Sequence, residues 1–377
     1  MTRPLFPRNC FFVRISSLCG FTASVLLFCL CSFPIFSLAQ TPKHPASLDP
    51  AWQPLLQRLI ADGFERTRLE TLFARLGPQS YTPAYMGLKI TELYGVPGIG
   101  INREKAPPPI MPEGYTPPVN DTTVGSCLAF IREHAATLAD IEKKYGVQAP
   151  IILAILLVET GLGQDLGKDS ALRALAGMAA THTPEMLAGM GNSRQKARVN
   201  PASLARTLRE KSEWAYSELK ALIRHAEQLE RDPVGIPGSM YGAVGVCQFM
   251  PSNIDLFGVD GDNDGVIDLF NLVDAMYSVA AYLEGNGWRG ASTDALKNQV
   301  ILSYNKDNLY ASTVLATSKR LDNALKGTGE ISPQSSAVVG GYSKNPYARL
   351  DPSLRRLRSV PPSARVNPLG DYQQMLQ

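Results

Sequence analysis

Glu159 stands at the end of an uninterrupted apolar run, Ile151–Val158, in the context Val-Glu-Thr-Gly-Leu-Gly. A carboxylate at the mouth of an apolar wall loses hydration, and near a helix C-terminus it also meets negative potential, so both effects raise its pKa. A carboxyl that keeps its proton at neutral pH can donate it to a leaving oxygen, the first requirement for breaking a glycosidic bond. The same residue could equally cap the solvent end of a buried helix, and this context alone leaves both readings open.

A second group of residues is acidic. The stretch Asp260-Gly261-Asp262-Asn263-Asp264-Gly265-Val266-Ile267-Asp268 matches the first half of an EF-hand loop, with oxygen donors at alternate positions and a glycine at the sharp turn. Where such a loop carries a bidentate Glu at its twelfth position this chain has Asn271, and the next acid is Asp274. Several carboxylates in one short loop repel unless a cation neutralises them. Hard oxygen donors in this number suit calcium better than magnesium, which demands tight octahedral geometry. An acidic surface turn that binds nothing is the alternative.

Between these two groups lies Gly238-Ser-Met-Tyr-Gly-Ala-Val-Gly-Val-Cys-Gln-Phe-Met-Pro-Ser-Asn253. Gly242, Gly245 and the Phe249-Met250-Pro251 corner describe a chain that turns tightly and can bring its backbone close to a ligand. Further on come Tyr282, the pair Tyr304-Asn305, and Tyr310. Aromatic rings can cover the apolar faces of sugars while a phenol donates a hydrogen bond.

Together the Val-Glu-Thr context, the GxxGxxQFMPS string and the lengthened acidic loop resemble the MltB-type lytic murein transglycosylases of the lysozyme-like superfamily, from about Asp49 to about Leu325. That resemblance implies a mainly α fold: a lysozyme-like catalytic domain with an EF-hand-like calcium loop and an N-terminal helical subdomain. It implies Glu159 as the catalytic acid and base, Gln248 opposite it, Ser239 at a substrate-facing hydroxyl position, and Tyr282, Tyr304, Asn305 and Tyr310 along the substrate. It also implies one structural calcium ion held by the side chains of Asp260, Asp262, Asp264 and Asp274 and the backbone oxygen of Val266. The substrate would be the glycan strands of peptidoglycan.

No second carboxylate occupies a motif position facing Glu159, whereas glycosidases ordinarily use two. The absence favours the family's substrate-assisted route, which ends in a 1,6-anhydromuramic terminus without consuming water. A lysozyme-like hydrolase is the competing enzymatic reading. A calcium-stabilised glycan-binding protein without turnover is the competing reading of another class.

The elements that must position these residues read as helices. Apolar spacing at Trp52, Leu55, Leu56 and Leu59, then at Leu69, Leu72 and Phe73, marks short helices divided at Gly63 and Gly77-Pro78. Residues 40–94 are thus expected to form an N-terminal helical subdomain. The Pro/Gly-rich stretch 95–123 reads as an irregular connection. Residues 124–326 are expected to carry the catalytic domain, with a helix pattern over 126–145, the buried run from Ile151 and the metal loop at 260–274. Thr181–Glu213 is longer than in the family's shorter members, and residues 327–377 read as a weakly ordered basic tail.

Bulk composition bounds the rest. At 377 residues and 45% hydrophobic content the chain can bury a large core. Residues 1–39 carry Arg3, Arg8 and Arg14, no acid, a long apolar stretch and Ser37-Leu-Ala39, which is the pattern of a secretory signal cleaved after Ala39; an uncleaved anchor is the alternative. No cysteine has a lipobox-like context. The expectation is an exported, periplasmic protein. The formal charge of +3 comes entirely from those three arginines, so charge gives no sign of nucleic acid as a partner. The chain is expected to be a monomer. Four of the six cysteines fall in residues 1–39, leaving Cys127 and Cys247 to pair or to remain thiols.

Overall fold

Helix α6 (Ala149–Thr160) follows from a sequence that is apolar on every face, and a helix of that kind must be enclosed. Residues Pro150–Leu156 are buried, and Pro150 sits in the first turn, where its missing N–H is not needed. Gly161 ends the helix in the left-handed conformation (φ 59°), and the Leu162 N–H reaches back to the Leu156 carbonyl at 3.0 Å. Glu159 is thereby fixed in the last turn.

The computed structural model describes residues 47–94, 119–188 and 200–327. The expected signal, most of the Pro/Gly connection, the basic tail and part of the long 181–213 segment lie outside the described residues. The other helices among the described residues are α1 (Gln53–Ala61), α2 (Arg66–Ala74), α3 (Ala84–Tyr94), α4 (Asp121–Glu133), α5 (Ala135–Tyr145), α7 (Ala171–Ala180), α8 (Pro201–Gln228), α9 (Pro251–Phe257), α10 (Leu272–Gly285), α11 (Asp294–Tyr304) and α12 (Asn308–Gly327), of which α5, α10 and α12 pack on α6. Strand structure among the described residues is slight: β1 (Asp169–Ser170) pairs antiparallel with β2 (Pro237–Gly238). The fold is mainly α, as the helical spacing predicts.

Local chemistry sets the helix boundaries. Glu65, Asn120, Asn200, Asn271 and Thr293 each accept backbone N–H groups of the helix that follows. Asn120 starts α4 at Asp121, inside the last residues assigned from sequence to the connection. The helical pattern over 126–145 is two helices, broken at His134, whose backbone (φ −106°, ψ 22°) leaves the helical region. No glycine or proline marks that break, so the sequence pattern runs through it.

Residues 47–94 share one apolar core with the rest. Trp52 is fully buried, donates its indole N–H to Ser80 Oγ at 2.8 Å, and meets Phe73 and Tyr81 edge-on. Their helices pack on α7 and α8, where Tyr85 donates to Asp169 at 3.0 Å and Lys220 pairs with Asp62 at 2.6 Å. The broadest helix contact is α7 on α8, and α12 lies along α6. No helix among the described residues is long and apolar enough to cross a membrane.

Candidate active site

Three segments meet at the C-terminal end of α6. The Tyr310 hydroxyl, in the first turn of α12, donates to Glu159 Oε1 at 2.6 Å. Thr160, the next residue on α6 and itself buried, donates from Oγ1 to the Val246 carbonyl at 2.7 Å and accepts the Gly163 N–H at 2.9 Å. The helix that carries the acid is therefore tied directly to the glycine-rich loop after β2.

That loop is folded on itself. Ser239 Oγ accepts the N–H groups of Tyr241 and Ala243, and Val244 and Phe249 exchange backbone hydrogen bonds at 2.8 and 3.1 Å. Gly242 has φ 87°, and a Cβ there would lie 2.3 Å from the Leu175 side chain; Gly245 has φ 77°, and its Cβ would lie 2.5 Å from Leu269. Both positions need glycine for conformation and for space. Gln248 adopts φ 50°, uncommon for a residue with a side chain, and its amide Nε2 donates to the Gly245 carbonyl at 2.9 Å.

The segment after Gln248 starts α9, whose N-cap residue Met250 has no capping side chain. The carboxylate of Glu218 on α8, almost fully buried, supplies the missing acceptor: it takes the Ser252 N–H at 2.9 Å and the Ser252 hydroxyl at 2.8 Å.

Aromatic rings form the wall. Tyr304, at the end of α11, donates its hydroxyl to the Cys247 carbonyl and stacks on Tyr310 with centroids 6.4 Å apart and planes 11° apart. Tyr282 packs edge-on against Tyr304 at 4.9 Å and against Phe257 at 4.7 Å, and donates to the Ser303 carbonyl at 2.6 Å. Only 7% exposed, Tyr282 supports Tyr304 from behind. Asn305 caps the C-terminus of α11 and is exposed, with no hydrogen bond to Glu159.

The electrostatics follow from this enclosure. Loss of hydration pushes the Glu159 pKa up to about 7, opposed by the smaller effect of the Tyr310 hydrogen bond to its ionised form. Tyr304 and Tyr310 are pushed well above the ordinary phenol value, chiefly by burial, so both hydroxyls stay protonated as donors. Cys247 and Cys127 are free, buried thiols whose pKa values burial raises.

The acidic loop joins α9 to α10. Oxygen atoms of Asp260, Asp262 and Asp274 come within 4.8 Å of one another. Asp274 is buried, and desolvation, with a lesser contribution from repulsion by Asp262, raises its pKa to about 6. Asp264 lies outside that group of three; its Oδ1 accepts the Val266 N–H at 3.0 Å, and Val266 is partly exposed. Asn263 (φ 60°) and Gly265 (φ 96°) make the sharp turn. Three converging hard oxygen donors, one of them desolvated, fit a calcium ion.

Of the residues singled out from sequence, Glu159, Tyr310, Tyr304 and Tyr282 form one connected cluster, and Ser239 and Gln248 belong to the loop tied to it. Sequence reasoning passed over Thr160 and Glu218. Thr160 had a signal in its place directly after the acid; Glu218 had none, because only the fold brings α8 to the start of α9.

A proton-retaining carboxyl on a buried helix, walled by tyrosines in a helical domain, is the arrangement of a candidate general acid. The chain belongs to the transglycosylase SLT domain family, whose model matches residues 47–297. It is 29% identical over 170 residues to the membrane-bound lytic murein transglycosylase B of Escherichia coli K12, an alignment covering 45% of this chain and 40% of that protein. The chain thus spans well under half the length of that curated relative. Its fold is that of the Escherichia coli lytic transglycosylase Slt35 solved in complex with calcium (TM-score 0.53, 21% identity, 75% of this chain and 98% of that one). It is equally that of the soluble lytic transglycosylase SltB1 of Pseudomonas aeruginosa (TM-score 0.51, 22% identity, 74% and 100%).

Proposed function

We propose that this chain is a lytic murein transglycosylase that cleaves the bond between N-acetylmuramic acid and N-acetylglucosamine in peptidoglycan. The observation that carries this reading is Glu159: a carboxyl with a pKa of about 7, held by Tyr310 and backed by stacked tyrosines. At neutral pH a large fraction keeps its proton and can pass it to the leaving glycosidic oxygen. Among the described residues no other acid contributes to the shift of its pKa. A double displacement on a protein carboxylate is therefore disfavoured, and the muramoyl acetamido group stabilises the developing cation.

Glu159, then ionised, removes the proton from the sugar's own C6 hydroxyl, whose oxygen attacks C1. Bond made and bond broken balance without water, and the product ends in 1,6-anhydromuramic acid. Tyr310 donates to the ionised carboxylate through this second step. Gln248 and Ser239 line the loop across the cleft and bind sugar, with Tyr304 and Asn305 on the other side and Tyr282 supporting Tyr304 from behind. A calcium ion here would be structural: Asp260, Asp262 and Asp274 would hold it, with Asp264 and the Val266 backbone oxygen as the further donors, and it would supply rigidity to the segment between α9 and α10. Export to the periplasm, where the substrate lies, is part of the same proposal.

Digestion of purified peptidoglycan in heavy-oxygen water tests the reaction. Fragments with unlabelled, borohydride-inert anhydro ends are expected; label at C1 in most of the product identifies a hydrolase instead. Binding without fragment release leaves only the glycan-binding reading.

A further inference from the structure

Gln248 stands in a conformation that its side chain does not favour. At φ 50° it occupies the left-handed region, where a residue other than glycine persists only when the surrounding structure fixes it. Upstream the loop is held at Val246, whose carbonyl accepts the Thr160 hydroxyl at 2.7 Å and whose N–H donates to the Leu269 carbonyl at 2.8 Å. Downstream, Phe249 pairs with Val244, and the chain then passes through Met250 and the fixed φ of Pro251 to Ser252, four residues past Gln248.

Ser252 is anchored from another helix. Glu218 of α8 accepts its N–H on Oε2 at 2.9 Å and its hydroxyl on Oε1 at 2.8 Å, and Trp214, one turn earlier on α8, adds a hydrogen bond to the same carboxyl. Capping of α9 alone does not call for this residue. An Asn, Asp, Ser or Thr at position 250 would cap the helix from within the loop, and Met250 stands there instead. Glu218 is only 1% exposed, and burial pushes its carboxyl above the usual range despite the Ser252 hydrogen bonds. The fold therefore keeps a desolvated acid whose bonds tie the long helix α8 to the downstream flank of Gln248.

We propose that Glu218 is a positioning residue for glycan cleavage, holding Gln248 in place opposite Glu159 by anchoring the loop at Ser252. The proposal rests on the glycan-cleaving reading and deepens it. Thr160 and Glu218 then act as two clamps, one on each side of the left-handed residue. Glu218 acts only through Gln248, so its removal matters only while the Gln248 side chain is there to be misplaced.

A double-mutant cycle on the full chain tests this, with kcat/KM for soluble peptidoglycan strands measured where melting curves show each variant folded. E218L is expected to lower kcat/KM about thirtyfold, within the ~10²-fold that a misplacement of about 1 Å can cost. In the Q248A background the same change should cost less than about threefold, because coupled residues are not additive. E218Q keeps a carbonyl acceptor for the Ser252 N–H and can donate to its hydroxyl, so it should stay within about threefold of wild type. S252A removes one of the two bonds; it should show a smaller loss that also vanishes with Q248A, and it decides the question should E218L not fold. A merely structural role lowers the rate by the same factor in both backgrounds. Equal factors, full activity in E218L, or an E218Q no better than E218L overturns the proposal, and fragment release by wild type in those cases leaves the glycan reading standing. No release by wild type overturns the glycan reading, and this one with it.

Discussion

Glu159 has a price in stability that its chemistry explains. Its folded-state pKa of about 7 lies above the ordinary 4.5. Between those values the folded state holds more protons than the unfolded one, so stability falls as pH rises through that window and stays lowered above it. Glu159→Gln removes the penalty, and the variant should melt higher than wild type at pH 8, by at most about 3 kcal/mol, with the gain gone at pH 4. Differential melts at the two pH values check this. The same substitution should cost at least ~10²–10⁴-fold in turnover, since an amide fits the space but delivers no proton. On the proposed mechanism the protonated form is the active one, so kcat/KM should fall as pH rises through about 7. Tyr310→Phe removes the hydrogen bond that lowers the pKa, and the alkaline limb of that profile should move to higher pH. A limb that stays put, or moves down, would show that another group titrates there.

At the scale of elements, the site depends on how the end of α6 is fastened to the loop before α9. Thr160 makes that fastening through the Val246 carbonyl while also closing the turn after α6 through the Gly163 N–H, and the residue is buried. Thr160→Val keeps the shape and removes both bonds, leaving a buried carbonyl without its donor; a loss of about 1–3 kcal/mol is expected in a denaturant titration. Activity should fall further than stability accounts for, because the loop carrying Gln248 is released from the acid. How much of this could be read in advance follows the range of each interaction. The burial of α6 and the position of its acid were legible, because an unbroken apolar run ended by Glu-Thr-Gly fixes a helix, its enclosure and its end. The turns at Gly242 and Gly245 were legible for the same local reason. Glu218 was not, since its carboxylate caps a helix 34 positions away and no spacing rule covers such a contact. Nor was the break at His134, where the apolar pattern continues while the backbone leaves the helix.

At the scale of the whole molecule, the acidic loop links the site to the second half of the core. Asp274 accepts the backbone N–H groups of Gly261 and Asp268, Asp268 is held in two hydrogen bonds by Arg231 beyond the end of α8, and the Leu269 carbonyl accepts the Val246 N–H of the site loop at 2.8 Å. An ion between Asp260, Asp262 and Asp274 would offset the burial of the Asp274 carboxylate, which chiefly raises its pKa, and the lesser repulsion from Asp262, and would tighten this chain of contacts. A ligand that binds only the folded state adds stability by mass action, about 2.7 kcal/mol when free calcium is 100 times its Kd. In a domain of this size each kcal/mol moves Tm by roughly 2–4 °C, so calcium should raise Tm on the order of 5–10 °C above the chelated protein. Asp262→Ala should erase most of that difference, because it removes an exposed carboxylate of the group and leaves the buried Asp274 and its backbone partners in place. The same change should lower activity without shifting the alkaline limb set by Glu159, since the ion acts on the rigidity of the loop and not on the acid. Melting curves indifferent to calcium, chelator and substitution would remove the metal from the account and leave the three carboxylates as an acidic turn.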